Sequence, residues 1–489
     1  FNESLLKAAV AHPPQSASDW SDLNRIAIER SFVAIAPVMV AASLVAAASF
    51  ASLMVFRMPV VRSFGLYAAI GILTGLVIEL IFIPALRLAF PARQLPVCET
   101  RSGIWDRIID ACARCAAPAA RRRTIVAGSL LLAASSWLGA NVRIDNSVEE
   151  YFARHTTIRQ TERELNERYA GSSVLYLLFQ GAAPEALTTA DAANLLRTIA
   201  DDLRQRPNIG AVSSYPDATG DVACAFVPTD CKAGPLSWST TALRQFLALY
   251  EAGAGADALD DYLNPAHDTA LIRVLASTDS SRYVDNLFRD LHARYDAQLP
   301  PGVTLLLGGT GATTLALNQR FIEVKLANIL QMLGIAALVA SLLFRSIVVG
   351  LLVLVPLIAS TLFAFAVMTL ANIPLNVATV FIAAISVGIG ADYAIYFGMR
   401  LREFLRVPGI GIDAALAQTY ATAGKAALFV ASAVAGGYLG LVASIGYNVH
   451  LWLGVMVAVA MLASVTAALT LFPALLMSLR PTAIFGDSR

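Results

Sequence analysis

The chain alternates long apolar runs with a single long polar stretch. Eight apolar runs are long enough to cross a bilayer, which takes about 20 residues. They cover 32–56, 63–89, 124–140, 324–343, 347–371, 376–399, 423–445 and 449–478, and the run at 124–140 is the shortest. Between the third and fourth runs lies a hydrophilic segment, 141–322, long enough for a domain of its own. Within it VLYLLFQ (174–180), ALIRVLAST (270–278) and GVTLLLGG (302–309) have the composition of strands. DAANLLRTIADDLRQR (191–206) and SRYVDNLFRDLHARYD (281–296) have the periodicity of amphipathic helices. Strands alternating with helices predict a small α+β sheet with helices on one face. The whole pattern predicts a polytopic α-helical membrane protein carrying one α+β domain outside the bilayer.

The basic residues orient these runs, because Lys and Arg concentrate in short cytoplasmic loops. The linker 91–123 carries Arg93, Arg101, Arg107, Arg114 and the run Arg121, Arg122, Arg123. Arg345 lies in the turn 344–346, and Arg400, Arg402 and Arg406 follow the sixth run. All fall on one side, taken as cytoplasmic together with the tail 481–489. The opposite linkers ANIPLN (371–376) and IGYNVHL (445–451) have neither residue, although FRMPVVR (56–62) breaks the rule with Arg57 and Arg62. This orientation puts 141–322 on the extracytoplasmic side.

Composition sharpens the membrane reading. The 489 residues are 57% hydrophobic and 15% charged, where soluble chains carry about 25% charge. Mean hydropathy is +0.63. A net charge of +1 implies no polyanionic partner and no nucleic acid. The Gly-rich stretches lack GxxxxGK[ST], so ATP-driven work is not indicated. The chain opens at Phe1 inside an amphipathic stretch, with no signal peptide visible. It is expected to be part of a longer protein.

An internal repeat supports that expectation. VAASLVAAASFASLMVFRMPVVRSFG (40–65) aligns without a gap on FVASAVAGGYLGLVASIGYNVHLWLG (429–454), and Gly65 falls on Gly454. At the same offset IFIPALR (81–87) falls on TLFPALL (470–476), with Pro84 on Pro473. Residues 1–90 then hold the last two helices of a first repeat, and 323–480 hold a five-helix bundle. The rest of the first half is expected upstream of Phe1. Parallel repeats about an axis along the membrane normal are a transporter architecture.

The chemistry concentrates in SVGIGADYAIYFGMR (386–400). Asp at the centre of a membrane helix costs about 2.5–3.5 kcal/mol. Counted from Asn376, Asp392 lies sixteen residues, about 24 Å, into the run. Such a carboxyl can be neutral or ionised at modest cost, which suits it to carrying a proton. The alternative is a protonated Asp that only bonds neighbouring helices together. Tyr393 and Tyr396 supply hydroxyls beside it and one turn away, and Gly388 and Gly390 leave room for a neighbouring helix or for water.

GIGADYAIYFGMRLRE resembles the fourth-helix motif of the resistance–nodulation–division (RND) superfamily. Within it the similarity is to the branch of the mycobacterial-membrane-protein-large type, with Patched-like proteins and hopanoid exporters. There a Gly-x-x-x-Asp-Tyr pattern serves as proton relay, which maps onto Gly388, Asp392 and Tyr393. The resemblance spans the chain, running from the fifth helix of such a protein to its twelfth. It implies a porter-like, ferredoxin-like fold for 141–322, a bacterial inner-membrane location with that domain in the periplasm, and no enzymatic role. It also implies a proton gradient in place of a cofactor, and a lipid or other hydrophobic cargo. The alternative is a sterol-sensing or scaffold protein without net transport. A homo-oligomer is compatible with either.

Other polar residues have competing readings. Glu79, in ILTGLVIELIFIP, either joins the proton path or lies near the cytoplasmic side, hydrated or paired with Arg. Lys425 is either a coupling partner or an anchor reaching for the interface. Gly436 and Gly440 form a small-xxx-small step expected to pack closely. Cys224 and Cys231, seven apart in the outside domain, are expected to form a disulfide. Cys98, Cys112 and Cys115 are expected to be free thiols, since the CARC pair has no further metal ligand nearby.

Overall fold

The computed structural model describes residues 5, 9, 17–56, 58–90, 103–226, 239–255 and 257–486. In chain order the first elements are helices α1 (Ala17–Ala51), α2 (Pro59–Ala89), α3 (Ile104–Ala116), α4 (Pro118–Ala140) and α5 (Thr157–Arg168). Strand β1 (Ser173–Gln180), α6 (Ala190–Arg204), β2 (Ile209–Ser213), α7 (Tyr215–Phe226), α8 (Thr240–Ala254), β3 (Thr269–Ala276), α9 (Ser281–Tyr295) and β4 (Thr304–Gly308) follow. Then come α10 (Gly309–Phe344), α11 (Ile347–Leu370), α12 (Phe381–Leu405), α13 (Ile412–Thr419), α14 (Lys425–Leu439), α15 (Asn448–Leu469), α16 (Leu471–Leu479) and α17 (Thr482–Phe485). The chain divides into two units, one of Phe1–Arg143, Glu323–Ser444 and Val449–Arg489, the other of Ile144–Ile322 and Ile445–Asn448.

In the first unit, seven stretches among the described residues are long and apolar enough to cross a membrane. They are Ile35–Val55, Pro59–Ala89, Pro118–Ala140, Ala327–Phe344, Ile347–Leu370, Ile412–Ala443 and Asn448–Leu479. The remaining expected span, 376–399, is α12, and its boundary needs correcting. Asn376 Oδ1 accepts from the backbone N–H groups of Ala378 and Thr379 at 2.9 and 3.0 Å, and Thr379 Oγ1 donates to Pro374 O at 2.8 Å. These bonds hold 376–380 in a turn, so the helix starts at Phe381. The span expected at 124–140 starts earlier, at Pro118, because proline's fixed φ and missing N–H suit the first helical position. Arg121, Arg122 and Arg123 therefore belong to this helix rather than to the linker.

Helix α12 is apolar and buried around nearly its whole circumference, from Ile382 to Leu401, the pattern of a central helix. It packs on α1 and α11. The internal repeat is visible in local geometry. Helix α1 ends in a 3-10 turn at Ser52–Val55 and α14 in one at Gly440–Ala443, the same offset to within one residue. A Cβ on Gly65 would stand 2.5 Å from Phe50 O, and one on Gly454 would stand 2.6 Å from Tyr438 O. Both glycines thus admit the preceding helix at the same crossing.

The second unit holds an antiparallel four-stranded sheet of order β2-β3-β1-β4. With α6 after β1 and α9 after β3, this is the ferredoxin-like arrangement. Alternation puts Leu175, Leu177 and Phe179 of β1 and Ile272 and Val274 of β3 on one face. Leu196, Ile199 and Leu203 of α6 and Val284, Leu287 and Leu291 of α9 cover it. The strand β2 was not expected. It is short and contains Gly210, where a Cβ would collide with Ala170 O at 1.9 Å and where the register with β3 shifts. Only glycine fits that bulge. Cys224 is disulfide-bonded; its expected partner, Cys231, lies outside the described residues.

Candidate functional site

Asp392 is the twelfth of the 25 residues of α12. It lies about 16 Å along the helix axis from Phe381, nearer the helix middle than a count from Asn376 implies. Its Oδ1 is buried and has no hydrogen-bond partner among the described residues. A partnerless buried polar atom is costly. The hydroxyls beside Gly388 and Gly390 bond to backbone instead: Ser49 Oγ donates to Val45 O at 2.8 Å and Ser464 Oγ to Gly390 O at 3.2 Å.

The two glycines before Asp392 serve different neighbours. A Cβ on Gly388 would meet Phe50 Cε2 at 3.4 Å and Ser49 Cβ at 3.6 Å, both on α1. A Cβ on Gly390 would stand 2.7 Å from Ser464 Oγ of α15 and 3.4 Å from Leu357 Cδ2 of α11. Both glycines thus leave room for neighbouring helices. Phe64 of α2 stacks against Phe50 and Phe381, with centroids 6.0 and 4.4 Å away. On the other side Phe397 meets Tyr420 and Phe472 at 5.0 and 6.4 Å. Asp392 thus lies between two aromatic clusters.

Tyr393 is buried, and its hydroxyl donates to Met461 Sδ at 3.8 Å rather than to Asp392. Consecutive residues on a helix point about 100° apart, so the neighbour in sequence is not the neighbour across the site. Tyr396, four residues on, shares the face of Asp392. The structure therefore places Tyr396 on the face of Asp392 and turns the Tyr393 hydroxyl toward Met461 of α15. Glu79, on α2, is exposed.

Lys425 is not at this site. It forms an ion pair with Asp106 of α3. Among the described residues a Cβ on Gly436 or Gly440 would meet nothing within 4 Å. Helix α14 buries Ala427, Leu428, Ala431 and Ala435 instead, and both glycines lie off that face. Cys112 and Cys115 are free, and Cys98 lies outside the described residues. Among the described residues no cluster of His, Cys, Asp and Glu is arranged to hold a metal ion.

Two features were not legible in the sequence. Asn328 of α10 is buried and donates through Nδ2 to Ser52 Oγ at 2.8 Å, and Ser52 Oγ donates to Ser49 O at 2.6 Å. This polar string ends beside Gly388, joining residues 276 positions apart. An apolar cavity of about 360 Å³ also lies between α4, α11 and α15, with Leu131, Phe363 and Leu462 in its wall and hydroxyls from Ser135, Thr466 and Thr470.

Two comparisons bear on identity. At 23% identity the chain is similar to MJ1562, a candidate membrane protein of Methanocaldococcus jannaschii, over 69% of this chain and 85% of that protein. A model of the MMPL family matches residues 21–119 and 153–488, most of the sequence. The chain belongs to the MMPL family and is an integral membrane protein of the RND-transporter type.

Proposed function

We propose that this protein is a proton-driven exporter of a lipid or other amphiphile in the bacterial inner membrane. In this reading 141–322 faces the periplasm, and Asp392 takes up and releases the coupling proton. The observation that carries it is the partnerless Oδ1 of Asp392 at the middle of a buried helix. A carboxyl kept only to join helices would bond across to one, and Ser49 and Ser464, beside Gly388 and Gly390, bond to backbone carbonyls instead. Tyr396, which shares its helix face, and Glu79 are the next groups on the proton's route. The apolar, hydroxyl-edged cavity supports an amphiphilic cargo.

The test is transport of a fluorescent lipid analogue in vesicles under an imposed pH gradient, with a lumenal pH dye reporting proton entry. Asp392→Asn keeps size and hydrogen bonding but cannot ionise. It should insert at normal levels, bind lipid, and lose both signals. Tyr396→Phe should slow them, and Tyr393→Phe should slow them less, since its hydroxyl faces Met461. Gradient-driven movement by the Asn variant at the parental rate would rule out the proton role. Lipid movement indifferent to the gradient in the parent would favour a lipid sensor instead.

A further inference from the structure

Helix α3 has two apolar sides, and the bundle uses one of them. Ile109 and Ala116 are buried, with Ile109 Cδ1 set 3.5 Å from where a Cβ on Gly424 would stand. Asp106 caps the helix start by accepting from the Gly103 N–H at 3.1 Å, and it also holds Lys425. These contacts fix α3 against the beginning of α14. The adjacent side carries Ile104, Trp105 and Ile108, which are 68%, 42% and 37% exposed.

The level of α3 relative to the bilayer follows from continuity. It ends at Ala116, and the spanning helix α4 begins at Pro118. Arg122 and Arg123 sit near the start of α4, where that span enters the membrane. Arg121 is taken up internally, donating to Met477 O at 3.0 Å. Arg107, Arg114, Arg122 and Arg123 are exposed. Among the described residues none of these four is paired with a carboxylate; Arg114 Nε reaches only the Asp110 carbonyl, at 3.3 Å. On the helical wheel Arg107 and Arg114 lie together along one edge of the Ile104–Ile108 stripe, and the buried Ile109 and Ala116 border the other. An apolar stripe edged by unpaired guanidiniums at the mouth of a span complements an acyl layer under anionic headgroups.

We propose that α3 lies in the membrane interface and, with the start of α4, binds anionic phospholipid headgroups through Arg107, Arg114, Arg122 and Arg123. Ile104, Trp105 and Ile108 enter the acyl region. The occupant is a lipid because the arginines border an apolar stripe. A soluble phosphate would leave Ile104 and Ile108 in water.

The test uses the full chain in nanodiscs made with brominated phosphatidylglycerol or brominated phosphatidylcholine. The Trp105 signal is the difference between the parent and Trp105→Phe. It should be quenched by both lipids, several-fold more by phosphatidylglycerol, with the preference weakening at high salt and surviving added inorganic phosphate. Quenching by aqueous iodide but not by brominated lipid would overturn the proposal. So would equal quenching by the two lipids, or loss of the preference to phosphate at constant ionic strength. A second measurement needs no tryptophan. Lipid retained by protein purified from mixed membranes should be enriched in phosphatidylglycerol, and R107Q/R114Q/R122Q/R123Q should return it to the bulk ratio. Unchanged enrichment in a quadruple variant with parental circular dichroism would assign the headgroup to other residues.

Discussion

Two carboxyl groups, one in each unit, are held in opposite ways. Asp145 is 4% exposed and surrounded by donors. Ser280 donates to its two oxygens at 3.1 and 3.0 Å, Ser281 at 3.0 Å, and the Arg282 N–H approaches at 3.5 Å. All three donors belong to the N-terminal end of α9, where a negative charge is favoured. Asp145 thus fastens the stretch before α5 to that helix. Asp392 sits at mid-helix, without a helix end to offer N–H groups, and its Oδ1 takes no bond from the described residues. A carboxylate with its lone pairs occupied contributes to folding. One left without donors works against folding, and its place in the sequence asks for a use beyond stability.

The sharpest way to break this contrast is to remove each carboxylate and see which property goes. Asp392→Asn should cut gradient-driven transport by at least about a hundredfold while leaving thermal stability in detergent unchanged or raised. Asp145→Ala should do the reverse. Stranding the hydroxyls at the start of α9 should cost about 3 kcal/mol, read by chemical or thermal unfolding, with transport per folded molecule retained. If both variants lose stability equally, Asp392 is structural and the contrast fails.

Two smaller effects refine it. Ser52→Ala removes the acceptor for Asn328 and should destabilise the membrane unit by about 1 kcal/mol, with the Asn328→Leu/Ser52→Ala double variant recovering part of the loss. Asp279, near Asp145, gives the smallest effect. Burial pushes it above its usual value of 3.8, the charge of Asp145 pushes the same way, and hydrogen bonds from Ser147 and backbone N–H groups oppose both. Because the folded acid holds its proton more tightly than the unfolded one, its contribution is greatest below 3.8 and declines as pH rises through the raised value. Asp279→Asn should flatten that decline in a series of melting curves from acidic to neutral pH.

Asp392 was legible in the sequence because a carboxylate stands out inside an apolar run, although the run alone left a purely helix-joining role open. The strands β1, β3 and β4 were legible from apolar runs of strand length. The strand β2 was not, since five residues with a glycine carry too little pattern to separate from a loop. Tyr393 was weighted by its place beside Asp392, but helix geometry points the two side chains apart, and Tyr396 shares the face. Gly436 and Gly440 show a related limit. Spacing reports that two small residues share a face, and it does not report which face meets a neighbour. The Asn328–Ser52 bond lay out of reach because the partners are 276 residues apart. The pairing of Lys425 with Asp106 was hidden in the same way.

The two 3-10 turns, at Ser52–Val55 and Gly440–Ala443, act as reserves of length. Four residues in 3-10 rather than α geometry span about 2 Å more and turn the helix end by roughly 80° further. Relaxing one of them to α would draw in and rotate that helix end while the rest of the helix kept its hydrogen bonds. Because repeat-related helices carry one each, matched relaxation would shorten both together, and relaxation of one alone would tilt the pair of repeats like a balance with unequal arms.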